Sequence, residues 1–267
     1  MTHTFLSALR YFLGLTAWSM ETPKPYGAFH LTVLLVGLGL SVWAAWRLRR
    51  IGEQKSRMLL FGIGVFLAVC EVYKQLFYAV YLYNGTYPWW IFPFQLCSVP
   101  MYLCLIAPLL RPGRVRQGMY SFMMIYNLLG GFMALMEPSG LVHPYWTLTL
   151  HAFLWHIAIV FVGLYLGFSG RGGCRMSDYR RATVTFLLLA LAAFGMNVVI
   201  CKGLHGSVNL FFVGPEKSSI VVFKDIAARF GWFSATAVYV PVVCLGAFLF
   251  FLPFYLCGKK RAALSKL

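Results

Sequence analysis

A cysteine and a histidine that could cooperate in nucleophilic catalysis lie in apolar stretches of this sequence. Cys97 occurs in FPFQLCSVP, between Pro93 and Pro100, and His156 occurs in FLWHIAIVF. A thiol becomes a strong nucleophile when a nearby base takes its proton, and His is the usual base because its pKa lies close to neutral. The two residue types therefore predict nucleophilic catalysis, provided that the fold brings them together.

Further polar side chains recur within the apolar runs. A carboxylate, an imidazole or an amide near such a pair can bind substrate, stabilise a developing oxyanion or hold the pair in position through hydrogen bonds. We expect one or more of these three roles for the following residues: His30, Glu71, Gln75, Gln95, Asn127, His151, Asn197 and Asn209.

One of the apolar runs carries a polar stripe at helical spacing. Glu71, Lys74, Gln75, Tyr78 and Tyr81 follow the pattern i, i+3, i+4, i+7, i+10, which places them on one helical face. Such a face either lines a hydrated pocket or pairs with polar groups of neighbouring helices. Glu71 and Lys74 are close enough along the helix to neutralise each other.

The two histidines of the HAFLWH segment lie five positions apart. On an α-helix this separates them by roughly 140°, so we expect that His151 and His156 do not point into the same narrow site. His156 has few polar neighbours in its own segment and should find its partner on another helix. The zinc-binding spacing i, i+4 is absent, and the seven cysteines show neither metal spacing nor paired spacing. We expect no metal, no cofactor and a structural role for Cys104.

Composition places these residues in a membrane. The chain has 267 residues, of which 60% are hydrophobic and only 11% charged, and its mean hydropathy is +0.74. A soluble protein of this length could not cover its surface with so little charge, whereas a polytopic membrane protein can. The net charge of +16 falls mainly in the loops, so topology explains it and we expect no nucleic-acid partner.

Seven apolar runs are long enough to span a membrane, at roughly 20 residues each. They predict an all-α polytopic bundle of seven transmembrane helices in the cytoplasmic membrane of the cell. We expect one domain over residues 1–267, with an interfacial N-terminal segment at 1–28, anchored by Phe5, Phe12 and Trp18, and a bundle at 29–257. The runs are 29–48, 58–83, 89–110, 118–137, 146–169, 182–203 and 232–257.

The loops predict an orientation. Arg and Lys occur after runs 1, 3, 5 and 7 and are absent from NGTYP and PSGLVHPYW. By the positive-inside rule the N-terminus is then outside and the C-terminus cytoplasmic. The polar residues gather in the outer half of the membrane, which indicates one cavity opening outward. The outer connection at about 204–231 is long enough to act as a lid, and it or its borders carry His205, Lys202, Lys217 and Lys224, the lysines being able to attract phosphate.

The order of several motifs is similar to that of a known family. FPFQLCSVPMYLCLIAPLL, YNLLGGFMALMEPS, HAFLWHIAIVFVGLYLGF and GSVNLFFVGP resemble the YwaF-type bacterial integral membrane proteins, which are related to transmembrane protein 164, an acyltransferase of lipids. The resemblance covers runs 2 to 7. It implies transfer of a fatty acyl chain between membrane phospholipids, with Cys97 as the nucleophile, His156 as the base and Asn209 as a further site residue.

Two other classes of function stay open at this stage. A transporter could use Glu71, Lys74 and His156 as a substrate or proton site, and a receptor or assembly factor could use the same pocket for a ligand. A continuous polar path to the cytoplasm would favour transport. The sequence leaves open transfer versus hydrolysis, the acyl donor and acceptor, and the oligomeric state.

Overall fold

The computed structural model describes residues 2–204, 206–216 and 220–264. These segments form helices joined by mostly short connections, and within them the backbone pairs in extended form only at one isolated bridge between Ser19 and Tyr145. We number the helices α1 Thr2–Gly14, α2 Ala28–Leu48, α3 Glu53–Leu82, α4 Val99–Leu109, α5 Arg114–Met136, α6 Trp146–Phe168, α7 Met176–Gly203 and α8 Val221–Leu264.

Six of the helices described are long and apolar enough to cross a membrane: α2, α3, α5, α6, α7 and α8. α4 is apolar but shorter. This confirms the expected all-α polytopic bundle. Several helices begin four to six residues before the predicted apolar runs, at residues 53, 114 and 176, because charged first turns extend each helix beyond its apolar part.

The third crossing differs from the spanning helix that we expected over residues 89–110. α4 begins only at Val99, and residues 83–98 form turns and one short 3-10 segment, Trp89–Ile91. Pro100 lies in the first turn of α4, where the missing N–H costs nothing. The proline therefore helps to begin a helix and does not kink one, and Cys97 lies in the turn that precedes it.

α4 and the irregular segment 83–98 lie along different halves of α3. A Cβ added to Gly64 of α3 would lie 2.8 Å from the backbone nitrogen of Leu105, and the Arg57 side chain donates a hydrogen bond to the carbonyl of Pro108. Beyond this contact, Gln75 of α3 donates to the carbonyl of Ile91 at 2.8 Å. Irregular backbone is tolerated at membrane depth only where protein buries it or where it lines a cavity.

α6 is the central helix of the bundle. It packs against α2, α3 and α5, and its side chains Trp155, Ile159 and Tyr165 are buried. The ends of α3 and α5 nearest the basic loops are joined by Glu53, which pairs with Arg116 at 2.9 Å and with Arg171 at 3.5 Å. We call this the Arg-rich end of the bundle.

The N-terminal helix docks on the opposite end of the bundle. Leu13 is buried against α3, the Thr16 hydroxyl and the Tyr73 hydroxyl lie 2.7 Å apart, and the Trp146 N–H donates to the Trp18 carbonyl at 2.9 Å. Phe12 and Trp18 remain exposed, as an interfacial segment requires, and the side chain of Phe5 lies outside the described residues. The interfacial position stays a prediction.

The long connection before the last span contains helical segments. It contains a 3-10 segment, Leu210–Phe212, and the first turns of α8, which is interrupted at Gly231 with φ +82°. The predicted loop over 204–231 therefore carries helical structure at both of these places. His205 and Lys217 lie outside the described residues.

Candidate functional site

A partly open cavity of about 350 Å³ lies between α3, α6, the segment 83–98 and the connection that precedes α6. Five of the ten predicted site residues line it, namely Glu71, Gln95, Cys97, His151 and His156. The structure thus brings the proposed nucleophile, the proposed base and one carboxylate to a single cavity. Its other hydrogen-bonding side chains are Lys74, Tyr78, Ser98, His143 and Trp155, and its apolar walls include Trp90, Phe92, Leu148 and Phe212.

The turn that carries Cys97 is held from two sides. The indole of Trp155 donates a hydrogen bond of 2.8 Å to the Cys97 carbonyl, and the Tyr102 hydroxyl donates one of 2.9 Å to the carbonyl of Pro93. These bonds use backbone groups that an irregular segment would otherwise leave unpaired. Lys74 and Glu71 are the charged side chains that line the same cavity as Cys97.

The hydrogen bonding of His156 defines its tautomer. Its Nδ1 lies 2.7 Å from the carbonyl oxygen of Ala152, and a carbonyl only accepts, so Nδ1 carries the proton of the neutral ring. Nε2 then bears the lone pair, and no described residue donates to it. The expected partner on another helix was wrong, because the partner is one turn earlier on α6. A neutral ring with a free Nε2 is the form that a general base requires.

His151 and His156 line the same cavity, so the expectation that they face different sites was wrong. The cavity follows a whole face of α6, formed by Leu148, His151, Ala152, Trp155 and His156. This is the spacing i, i+3, i+4, i+7, i+8 of a broad helical stripe, and the two histidines form its edges.

The carboxylate of Glu71 is buried, and only one of its two oxygens accepts hydrogen bonds from described residues. Its Oε1 accepts from Lys74 at 2.8 Å and from Gln75 at 2.5 Å, which confirms the expected local pairing with Lys74. Its Oε2 has no hydrogen-bond partner among the described residues. The residue is 4% exposed, so these two contacts replace hydrogen bonds to water that one oxygen of the carboxylate loses on burial.

The polar stripe of α3 divides along its length. Glu71, Lys74 and Tyr78 line the cavity, whereas Gln75 donates to the carbonyl of Ile91 and accepts from the Tyr87 hydroxyl at 2.8 Å. Tyr81 packs against Phe77 and Tyr145 and does not line the cavity. Three of the five stripe residues therefore line the cavity and two do not.

His30 does not line the cavity. Its Nδ1 accepts from the Tyr26 N–H at 3.2 Å and its Nε2 donates to the Leu135 carbonyl at 2.8 Å. Both ring nitrogens are therefore used to fasten the start of α2 to the end of α5. We withdraw His30 as a site residue.

Asn197 and Asn209 shape a loop and do not line the cavity. The amide of Asn197 donates to the Leu210 carbonyl at 3.0 Å and accepts from the Leu210 N–H at 2.7 Å. Asn209 donates to the Glu216 carbonyl and accepts from the Gly214 N–H, at 2.9 and 2.8 Å. Direct contact of either amide with an oxyanion therefore has no support in the structure, and a supporting role through this loop stays a prediction.

The same loop carries a strained aromatic pair to the cavity. Phe211 and Phe212 have φ of +54° and +56°, a conformation that bulky L-residues rarely adopt. Gln95 holds them there, because its Oε1 accepts from the Phe211 N–H at 2.9 Å and its Nε2 donates to the Asn209 carbonyl at 3.2 Å. Phe212 thereby forms one wall of the cavity.

Asn127 lies outside the cavity lining. It ends the π-helical turn Met123–Asn127 of α5, and both polar atoms of its buried amide lack a hydrogen-bond partner among the described residues. We find no structural support for its predicted role. Lys202 and Lys224 are exposed and do not line the cavity either.

Sequence reasoning missed three lining residues with polar side chains: His143, Ser98 and Trp155. His143 lies in the connection PSGLVHPYW, where Thr149 accepts from its backbone N–H at 2.9 Å. The available signals were weak: Ser98 directly follows Cys97, Trp155 directly precedes His156, and His143 stands in a loop without Lys or Arg.

These features define a class. The protein is a multi-pass helical membrane protein in which an irregular segment, followed by a short apolar helix, carries a thiol to a cavity shared with an imidazole and a carboxylate. The chain belongs to the TMEM164 family, whose sequence model matches residues 25–257. This confirms the relationship expected from the motifs. No curated protein and no solved structure matches the chain.

Proposed function

We propose that this protein is a membrane lipid acyltransferase, or an acyl hydrolase, in which Cys97 is the nucleophile and His156 the base. One observation supports this most directly. The two side chains line one cavity, and the hydrogen bond of His156 Nδ1 to Ala152 leaves Nε2 free to accept a proton.

The reaction begins with transfer of the Cys97 thiol proton to His156 Nε2. The sulfur attacks the ester carbonyl of a donor phospholipid, and collapse of the tetrahedral intermediate forms the thioester and breaks the ester C–O bond. The departing alkoxide takes the proton from His156. An acceptor hydroxyl or water then attacks the thioester, and the sulfur regains a proton.

The surroundings of Cys97 suit such an intermediate. The backbone carbonyl of Cys97 is bonded to Trp155, which is nine residues into α6 and hence roughly 14 Å from the start of that helix at 1.5 Å per residue. At this depth an acyl ester of a membrane phospholipid can reach the sulfur while bulk water is restricted. Family membership supports a lipid substrate, and we place the protein in the cytoplasmic membrane with the cavity on the outer side.

The transporter alternative receives less support. Between the cavity and the Arg-rich end lies a layer of buried apolar side chains that includes Leu67, Met101, Cys104 and Ile159. A transported polar substrate would need a hydrated path through this layer. The polar groups Glu71, Lys74 and His156 are better explained as parts of a site that is reached from one side.

The test is labelling of the purified protein with a thiol-reactive lipid probe. The exposed Cys174 and Cys257 can also react with the probe, so labelling is read at the peptide that contains residue 97. At that peptide, wild type and Cys104→Ser should label and Cys97→Ser should not. His156→Ala should label at least about tenfold more slowly because the base contributes that much or more. Cys104 is a suitable control because it lies on α4, buried and far into the core. Equal labelling of all four proteins would overturn the proposal.

A further inference from the structure

A second cavity, of about 290 Å³, lies at the Arg-rich end of the bundle, between α5, the start of α7 and the connection that precedes α7. By the positive-inside rule this end faces the cytoplasm. The cavity shares no lining residue with the one that contains Cys97, so what it binds is independent of the reaction proposed there. Its lining is polar apart from one glycine and consists of Gln117, Gly173, Arg175, Ser177, Asp178 and Arg181.

The carboxylate in this lining is already occupied by groups of the protein. Asp178 Oδ1 accepts from the Arg181 guanidinium at 2.9 Å, and Oδ2 accepts from the backbone N–H of Arg175 at 2.9 Å. Glu53, at the same end of the bundle, is likewise engaged in the two ion pairs described above. The exposed guanidinium of Arg175 forms no ion pair with a described residue. The lining therefore carries a positive charge that these carboxylates do not balance.

The donors of the cavity favour an anion with several oxygens. A guanidinium presents a planar fork of N–H groups that matches the oxygens of a phosphate, and two of the lining side chains are arginines. The exposed hydroxyl of Ser177 adds a further donor. The stem of Arg181 is packed against α5, since a Cβ added to Gly118 would lie 3.8 Å from the Arg181 Cβ. A cation would be repelled by the two guanidinium groups.

The face of α7 that begins in this cavity continues as an apolar stripe. Ser177 and Arg181 line the cavity, and Val184, Leu188 and Leu191 follow them at the spacing i, i+4, i+7, i+11, i+14. These three apolar side chains are 55, 63 and 67% exposed, which suits contact with acyl chains. The stripe from Arg181 to Leu191 is roughly 15 Å long at 1.5 Å per residue, about half of the hydrocarbon thickness of a bilayer.

We propose that this cavity binds the phosphate group of an anionic phospholipid of the cytoplasmic leaflet, with Arg175 and Arg181 as its ligands. An acyl chain of the same lipid lies along Val184, Leu188 and Leu191. A lipid with net negative charge is preferred to a zwitterionic one, because the surrounding arginines repel a cationic headgroup. The positive-inside rule explains why arginines are frequent at this end, but it does not explain a cavity lined by two of them at the head of an exposed apolar stripe.

The experiment measures lipid binding to the full-length protein. Purified protein in detergent is mixed with phosphatidylglycerol or with phosphatidylcholine at equal concentrations, and the lipid-bound fraction is quantified by native mass spectrometry. Wild type should retain phosphatidylglycerol more strongly than phosphatidylcholine. Arg175→Gln should weaken the retention of phosphatidylglycerol by roughly tenfold, the effect of one lost charged hydrogen bond, and leave that of phosphatidylcholine unchanged.

Arg180→Gln is the matched control, because it removes the same charge from an exposed neighbouring arginine that does not line the cavity. It should retain phosphatidylglycerol as wild type does. Equal weakening in Arg180→Gln and Arg175→Gln would show a diffuse effect of charge and overturn the site, as would a wild type without preference for phosphatidylglycerol. If Arg175→Gln does not fold, Arg181→Gln in the same assay decides.

Thermal unfolding in phosphatidylcholine nanodiscs distinguishes a lipid phosphate from a soluble one. Phosphatidylglycerol added to the discs should raise the unfolding temperature of wild type but not that of Arg175→Gln, because a ligand stabilises the state that binds it. Inorganic phosphate should have no such effect. Stabilisation by inorganic phosphate that depends on Arg175, without stabilisation by phosphatidylglycerol, would overturn the lipid site and indicate a soluble phosphate ligand.

Discussion

The indole Nε1 of Trp155 donates a hydrogen bond of 2.8 Å to the carbonyl oxygen of Cys97. Trp155 directly precedes His156 on α6, so this bond ties the turn that carries the thiol to the helix that carries the imidazole. The position of the Cys97 side chain relative to that of His156 thus depends on the bond between the Cys97 carbonyl and Trp155.

Trp155→Phe tests this contact. The substitution leaves the Cys97 carbonyl buried without its donor, which we expect to cost about 1–3 kcal/mol of stability. It should also slow lipid-probe labelling of Cys97 by roughly tenfold, as a loss of about 1.4 kcal/mol predicts. Thermal unfolding in detergent and labelling rates measure the two effects. Trp43→Phe, on the exposed face of α2, should change neither, and equal labelling of both variants would refute the role of the bond.

The close approach of α3 and α4 provides a second prediction. In Gly64→Ala the new Cβ would lie 2.8 Å from the Leu105 nitrogen and 2.9 Å from the Cys104 carbonyl carbon. Backbone cannot yield as a side chain does, so α4 must shift, and we expect a loss of about 1–3 kcal/mol together with weaker Cys97 labelling.

Gly62→Ala is the matched control, because no atom of the described residues lies within 4 Å of the Cβ it would add. Since Ala favours a helix over Gly, this variant should be neutral or more stable by up to about 1 kcal/mol. Thermal unfolding of the two variants side by side measures the difference. Similar unfolding temperatures would show that α3 and α4 can accept a Cβ at residue 64 without loss of stability.

Asn197→Ala tests the loop that forms one cavity wall. The substitution removes both hydrogen bonds to Leu210 and leaves two buried backbone groups unpaired, so we expect a loss of about 2–4 kcal/mol. Hydrogen–deuterium exchange over residues 208–214 should become faster. Ser234→Ala, which removes an exposed hydroxyl bonded within its own helix, should leave exchange unchanged. Unchanged exchange in Asn197→Ala as well would contradict the assigned role.

His143 gives a prediction about pH. Burial lowers the pKa of its imidazole in the folded protein, so the unfolded state binds its proton more readily. The contribution of His143 to stability is therefore complete above the ordinary His pKa of about 6.5 and is lost as the pH falls below it. Thermal unfolding at pH 7.5 and pH 5.5 should show a smaller loss for His143→Gln than for wild type. Equal losses would show that this residue does not titrate on unfolding.

The sequence was sufficient to predict the long apolar helices and the grouping of polar side chains near Cys97. Long apolar runs have few structural solutions in a membrane, and polar groups within them must gather or find partners. Glu71, Cys97 and His156 accordingly share a cavity. The stretch around Cys97 also signalled its irregular backbone through its two prolines and polar residues, although we expected a spanning helix over residues 89–110 and not a helix that begins after Cys97.

The sequence could not distinguish a polar side chain that serves a substrate from one that serves the backbone. His30, Asn197 and Asn209 satisfy carbonyl and N–H groups of distant or irregular segments, and these partners depend on the path of the chain. The same limitation hid His143, which reaches the cavity only because its connection folds over α6. Helical periodicity predicts which residues share one face of a helix, but it does not predict where a loop packs against that helix.

The most direct test of the central claim is mass spectrometry of the Cys97 peptide after incubation with a phospholipid carrying a labelled acyl chain. We predict that this peptide gains the mass of the acyl chain, and that neutral hydroxylamine, which cleaves thioesters, removes it. In His156→Ala the adduct should form far more slowly, while the Cys104 peptide should remain unmodified throughout. Turnover of the lipid by wild-type protein without any adduct on Cys97, or undiminished turnover by Cys97→Ser, would contradict the account.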